Sequence, residues 1–182
     1  MQPSTTNHLR PMIAFAIAAL LCFITAAAHA ETSAPTAYPA QTIPADRGCA
    51  TCGMYPAHYP QWQQQLIFKD KSMAAFDGGK CLFRFLLNMA TYDARHTLAD
   101  VAMIWVKDFN TGAWTDGTKA FYVVGSNVMG PMGKEIIPFT TQEAAQKFQQ
   151  QNGGAVEPYA NITMDTLKPL MGGMMHMQHG GH

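Results

Sequence analysis

Two thiols and a thioether fall within six residues, Cys49-Ala50-Thr51-Cys52-Gly53-Met54. Thiolate and thioether sulfurs are soft donors, and a soft set with little imidazole or carboxylate suits Cu(I). A Cys-x-x-Cys pair also serves zinc, disulfide exchange and haem attachment, so the neighbouring residues must discriminate. Haem attachment needs His directly after the second Cys, and position 53 is Gly. Structural zinc ordinarily takes four Cys or His ligands, and beyond this pair the chain offers only Cys81 and scattered His. A thioredoxin-like site puts its first Cys at a helix N-terminus, which lowers its pKa. Gly53 and Pro56 oppose a helix there, and no βαβ unit precedes the pair. Thiol–disulfide exchange through Cys49 and Cys52 remains the alternative function.

Two or three soft ligands satisfy Cu(I), and Cys52 with Met54 places two on one loop. Met132, set between Pro131 and Gly133 in a second loop, can supply a third, and Met129 is a weaker candidate. His58 lies close behind the motif, as a ligand or as a solvated loop residue. Cys49 either ligates or pairs with Cys52. Met73, Met89 and Met103 read as core filling, the usual role of a lone Met. Cys81 adjoins the apolar face of a helix and reads as a buried structural thiol held away from the loop. The end of the chain, Met171 to His182, has four Met and three His in twelve residues and no core-building pattern. It is expected to be a disordered tail able to wrap a soft metal through Met174, Met175, His176, Met177, His179 and His182.

The elements that must position these donors begin behind a leader. Met1 to Arg10 is polar with one cation, Met12 to Ala28 is almost wholly apolar, and Ala28-His29-Ala30 is a small-x-small cleavage site. This predicts a signal peptide cleaved after Ala30, export to the periplasm, and membrane contact only through the leader. Cys22 follows Leu20-Leu21 rather than a small residue, so it does not read as a lipidated terminus. The whole chain carries 12 Lys+Arg against 12 Asp+Glu over 182 residues, and losing the leader removes only Arg10 from that balance. Near-neutrality excludes nucleic acid or an anionic membrane surface as a partner read from charge. In an oxidising compartment the odd count of Cys49, Cys52 and Cys81 leaves a thiol unpaired and argues against a disulfide framework.

Residues 31–46, with Pro35, Pro39 and Pro44, read as a flexible or extended lead-in. One compact domain is expected over residues 47–170. Gln65 to Phe68 is a short strand, and Asp77 in Phe76-Asp77-Gly78-Gly79 can cap the helix behind it. Leu82, Phe85, Leu86 and Met89 recur at i, i+3, i+4, i+7 and predict a helix from Gly79 to Met89. Strands follow at Val101 to Val106, Ala120 to Val124 and Glu135 to Phe139, with Pro138 marking an edge. Thr140-x-x-Glu143 is a capping box for a helix to Asn152 that ends at Gly153-Gly154. Ala155 to Tyr159 is a last strand, and Met164 to Leu170 a short helix. The order strand, capped helix, strand behind Met54 is matched behind Met132, a weak internal repeat that sets two Met-bearing loops in equivalent places.

Asp46-Arg47-x-Cys49-x-x-Cys52-Gly53-Met54 resembles the cysteine-glycine-methionine signature of the NosL family, accessory copper proteins of nitrous oxide reductase. Trp114 to Val123, Gly130-Pro131-Met132-Gly133 and Gly153-Gly154-Ala155-Val156 are similar to later segments of that family, so the resemblance spans Asp46 to Ile162. It implies an α+β fold of two small ββαβ-type units, organomercurial-lyase-like, with flexible tails at both ends. It also implies a non-enzymatic periplasmic Cu(I) chaperone that delivers copper to nitrous oxide reductase or its assembly machinery. Cys52 matches the signature Cys, Met54 its Met and Met132 the later Met. Typical members are lipoproteins and lack a Met/His tail, and this chain departs from them on both points.

Overall fold

The computed structural model describes residues 37–172. The readings of a leader before residue 37 and of a metal-wrapping tail after residue 172 lie outside the described residues. Among the described residues no helix is long and apolar enough to cross a membrane.

The chain runs β1 (Gln64–Phe68), β2 (Met73–Phe76), α1 (Gly79–Leu87), α2 (Met89–Tyr92), β3 (Val101–Lys107) and β4 (Trp114–Asp116). It continues β5 (Phe121–Gly130), β6 (Gly133–Phe139), α3 (Gln142–Asn152), β7 (Ala155–Pro158) and α4 (Met164–Met171). The first four strands form one sheet in the order β2-β1-β3-β4, and the last three a second in the order β6-β5-β7. Every pairing is antiparallel. Each sheet is entered by strand, strand, helix, strand, and the first strand of each lies between the other two. Two ββαβ units of this kind make the mixed α+β fold that the sequence led us to expect.

Local chemistry explains most boundaries and the departures from them. The helix expected to reach Met89 stops at Leu87, because Asn88 leaves helical geometry at φ −139° and a separate turn of helix starts behind it. β2 and β4 have no alternating pattern to announce them; both are short strands zipped to longer neighbours. α3 is capped by Thr141 rather than Thr140: the Thr141 hydroxyl accepts the Ala144 N–H at 3.2 Å. The Thr140 N–H is already taken by the buried Asp108 carboxylate at 2.6 Å. Pro138 lies in β6, an edge strand, where its missing donor costs nothing. The lead-in is tied down where it is described: Gln41 and Gln65 exchange backbone–amide hydrogen bonds at 2.9 and 3.0 Å, and Trp105 donates to the Tyr38 carbonyl at 2.9 Å.

α1 is the centre of the main core. Leu82, Phe83, Phe85 and Leu86 are all buried, with Phe83 edge-on to Tyr122 at 5.0 Å and Phe85 edge-on to Phe76 at 5.2 Å. Each such side chain removed from water contributes about 1.5–3 kcal/mol. A smaller core of Val123, Ile137, Phe139, Ala145 and Phe148 lies under α3. The helix approaches β6 so closely that a Cβ on Gly79 would stand 2.1 Å from the Ile136 carbonyl oxygen.

Two ionisable side chains are buried where α1 meets β6, Lys80 and Glu135, each 1% exposed. Burial pushes the Glu135 carboxyl up to about 7, against the opposing pull of the Lys80 backbone N–H and ammonium. A carboxyl whose folded pKa is raised makes its full contribution at low pH and loses it as pH rises through that value. Relative to Glu135→Gln, the unaltered protein is therefore expected to lose on the order of 3 kcal/mol between pH 4.5 and 8, at about 1.4 kcal/mol per pH unit. Urea unfolding of both proteins at the two ends of that range checks it; a pH-independent difference would refute the assignment.

Candidate metal centre

The loop carrying the Cys-x-x-Cys pair is closed on itself. The Cys49 N–H donates to the Met54 carbonyl at 2.6 Å and the Gly53 N–H to the Cys49 carbonyl at 2.9 Å. This closure requires the left-handed backbone that Gly53 adopts at φ +82°, which a residue with a Cβ adopts only at a cost. Two further bonds dock the loop. The Ala50 N–H reaches the Ala75 carbonyl of β2 at 2.9 Å, and the Thr51 hydroxyl reaches the Cys81 carbonyl in α1 at 2.8 Å.

Docking brings together residues from three places in the chain. Cys49 and Cys52 come from the loop, Asp77 from the end of β2 and Cys81 from the first turn of α1. One donor atom from each of the four lies within 4.8 Å of every other. Cys49, Asp77 and Cys81 are buried, at 5%, 1% and 2% exposure, while Cys52 is partly open to solvent. All three cysteines are free thiols. The Cys52 sulfur stands 3.4 Å from both Asp77 carboxylate oxygens.

So close a set of acids cannot ionise independently. Hydrogen bonds from the Cys49 and Cys81 thiols, with the Met54 backbone N–H, hold the Cys52 sulfur down to about 4; burial and the Asp77 charge oppose them. Hydrogen bonding to Cys49 and Cys52, then burial, pushes Cys81 far up, so it keeps its proton. Burial first, and then the Cys49 sulfur, pushes Asp77 up to about 6. Cys52 is the sulfur that the cluster acidifies, and the raised Asp77 carboxyl faces it at hydrogen-bond distance. A reachable thiolate backed by two buried thiols and a carboxyl is a metal-capturing arrangement, in which an incoming cation displaces the remaining protons.

The sequence placed Cys81 on the apolar flank of a helix and away from the loop. Cys81 is buried as expected, but the face it occupies is the one the loop docks on, so its sulfur joins the cluster. Asp77 was expected to cap α1; the cap position is Gly78, no side chain caps the helix, and the Asp77 carboxylate turns to Cys52 instead. Neither residue had a local signal beyond the spacing Asp77-x-x-x-Cys81, which has meaning only once the loop lies over it.

Met54 is half-buried at the far end of the closed loop. Met132 occupies the two-residue turn Pro131-Met132 between β5 and β6 and packs, half-buried, on the core cluster that contains Cys49 and Cys81. Cys52 packs on the same cluster. Met129 falls inside β5 opposite Lys134, 58% exposed, because β5 runs six residues beyond the expected Val124. His58 is exposed, its ring 5.7 Å from that of Tyr55. Met174, Met175, His176, Met177, His179 and His182 lie outside the described residues.

Comparison with known proteins places these features in a family. Residues 39–167 match the model of the family described as NosL. The chain is 27% identical over 136 residues to a copper-binding lipoprotein NosL of Stutzerimonas stutzeri, covering 73% of this chain and 68% of that protein. It is 36% identical over 77 residues to the copper-binding lipoprotein NosL of Achromobacter cycloclastes, covering 36% of this chain and 40% of that one. Its structure is similar to the crystal structure of the copper chaperone NosL from Shewanella denitrificans, with a TM-score of 0.63 and 26% identity over 72% of this chain and 99% of that chain.

Proposed function

The chain belongs to the NosL family, and from that premise we propose that it captures copper as Cu(I) and hands it to a partner protein, without catalysing a reaction. One observation carries the proposal: three thiols and a carboxyl converge within 4.8 Å, and Cys52, whose sulfur is held down to about 4, is partly open to solvent. Cys52 is the entry ligand, with Cys49 and Cys81 behind it and Met54 and Met132 as thioether donors at the rim. Cu(I) needs only two or three soft ligands. A partner's sulfur can therefore join at the exposed Cys52 side while an inner bond is released, and the ion moves by ligand exchange without ever being free. The recipient fits nitrous oxide reductase or the machinery that assembles it, on the family resemblance. The site of action fits the periplasm, on the cleavable leader. The Met/His tail, with its four Met and three His in twelve residues, would be a second, weaker site.

Four donors of this kind also suit zinc, so the decisive test is competitive. Anaerobic titration against a chromogenic Cu(I) chelator, repeated with excess Zn(II), is expected to show Cu(I) retained. Equal displacement by zinc would sink the copper reading. Deleting residues 171–182 is expected to lower the copper stoichiometry and leave the tightest site unchanged.

The acidity of Cys52 also favours a second reading, thiol–disulfide exchange with Cys49. Turnover of a disulfide substrate by the metal-free protein, at a rate above that of free thiol, would decide for it.

A further inference from the structure

Lys80 lies one residue before Cys81, and it is 1% exposed. Holding an ammonium out of water costs several kcal/mol unless its protons are bonded. A lysine on a helix ordinarily escapes that cost by extending its stem until the charge reaches solvent. This one stays inside and donates to two backbone carbonyls from different elements. One is the carbonyl of Met132, in the turn between β5 and β6; the other is that of Leu170, at 3.4 Å. The Leu170 carbonyl is among the last of α4, which have no partner within their own helix. A third bond to the same hairpin is also donated by this residue, from the Lys80 backbone N–H to Glu135 Oε2 at 2.9 Å.

The turn needs such an anchor. β5 and β6 pair in register from Phe121↔Phe139 to Val124↔Ile136, and pairing resumes, shifted, only at Met129↔Lys134 and Gly130↔Gly133. The irregularity lets the outer end of the hairpin bend independently of its base. Gly133, at φ +85° with open space around it, adds no restraint of its own. Beyond the packing of Met132 on the core, the Lys80 ammonium and the Glu135 side chain tie this turn to α1.

We propose that Lys80 is a positioning residue for copper capture: its buried ammonium fixes the Met132 turn and the end of α4 to the start of α1, and so sets Met132 beside the thiol cluster. This rests on Met132 being a ligand. Lys80 touches no ion itself; it acts through the place it gives that thioether.

The test is a double-mutant cycle on the full chain, with Lys80→Leu, which loses the donors and adds no sulfur, Met132→Leu, and both together. Cu(I) affinity is read by anaerobic chelator competition, and the number of sulfurs around copper by X-ray absorption. Each single variant is expected to bind about tenfold or more weakly, as for loss of an orienting partner, and to show one sulfur fewer. The double variant is expected to bind no more weakly than either single one, because two changes acting through one contact do not add. Additive losses, or unchanged affinity in Lys80→Leu, would overturn the role of Lys80 and leave Met132 as a ligand. Unchanged affinity in Met132→Leu would instead overturn the ligand reading, and the positioning role with it. Should Lys80→Leu fail to fold, nitrogen relaxation of the unaltered protein serves: the Met132 and Gly133 amides are expected to be as rigid as the strands, with order parameters of about 0.85. Values below about 0.6 would overturn the anchor.

Discussion

Serine in place of Cys52 is expected to lower Cu(I) affinity by about 10²–10³-fold. A structural zinc site with four ligands supplies roughly 10–16 kcal/mol, about 2.5–4 per ligand, and loss of one soft ligand here is set on that scale. Cys52 is the ligand whose loss should cost most. It is the ionised member, held down to about 4, and the one that an incoming ion meets first. Cys81→Ser is expected to weaken binding as well, since its sulfur belongs to the same cluster. The two variants separate by pH. The Cys52 sulfur is held well below the usual thiol range, so its own ligation adds less pH dependence than that of Cys81. Cys81 is pushed up and keeps its proton until the ion displaces it. Each proton so released makes affinity fall about tenfold per pH unit as pH drops. Cys52→Ser should keep that slope at a lower affinity, and Cys81→Ser should lessen it by one proton, the rest of the cluster still releasing its own. Chelator competition at pH 5.5, 6.5 and 7.5 with reductant present reads both. Native-like affinity in Cys52→Ser, or an unchanged slope in Cys81→Ser, would contradict these roles.

Alanine at Gly79 is expected to destabilise the fold by about 3 kcal/mol or more, placing it in the extreme tail of single substitutions. The added Cβ would stand 2.1 Å from the Ile136 carbonyl oxygen and 3.1 Å from that residue's Cβ, and neither is the free end of a flexible side chain. Relief requires α1 to move off β6, which would open the core around Phe83 and Tyr122 and lift Cys81 from under the loop. Alanine at Gly112 is the control. It has the left-handed φ of +70° but nothing within 4 Å, so only backbone strain remains, about 1–2 kcal/mol. Equilibrium unfolding in urea compares the two, and a Gly79→Ala protein as stable as Gly112→Ala would show that the helix is free to shift. A loss of Cu(I) affinity accompanying Gly79→Ala at temperatures where it remains folded would report displacement of Cys81.

Much of this protein is legible along the chain because its causes are local. The i, i+3, i+4, i+7 run from Leu82 to Met89 announces α1, which needs only one buried face to form. Gly153-Gly154, at φ +70° and +89°, ends α3 by backbone freedom that a neighbour-by-neighbour reading recognises. Pro138 marks an edge because its ring removes a donor wherever it stands. The sulfurs of Cys52, Met54 and Met132 are soft by atom type alone, which is what points to Cu(I). Cys81 and Asp77 were not legible in the same way. Their residue types allow a ligand, a cap or a core filler, and the choice depends on what lies 25–32 residues earlier in the chain. Only the docked loop, through Ala50 on β2 and Thr51 on α1, turns a buried thiol and a turn carboxylate into members of one cluster. Lys80 is the same case: a cation on a helix reads as a solvated charge until β6 and α4 close over it. The sequence by itself determined the donor chemistry and the order of the elements, because propensity and atom type act over a few residues. Tertiary structure alone decided which donors meet and which of them ionises. Distance and burial, on which both depend, are properties of segments far apart in the chain.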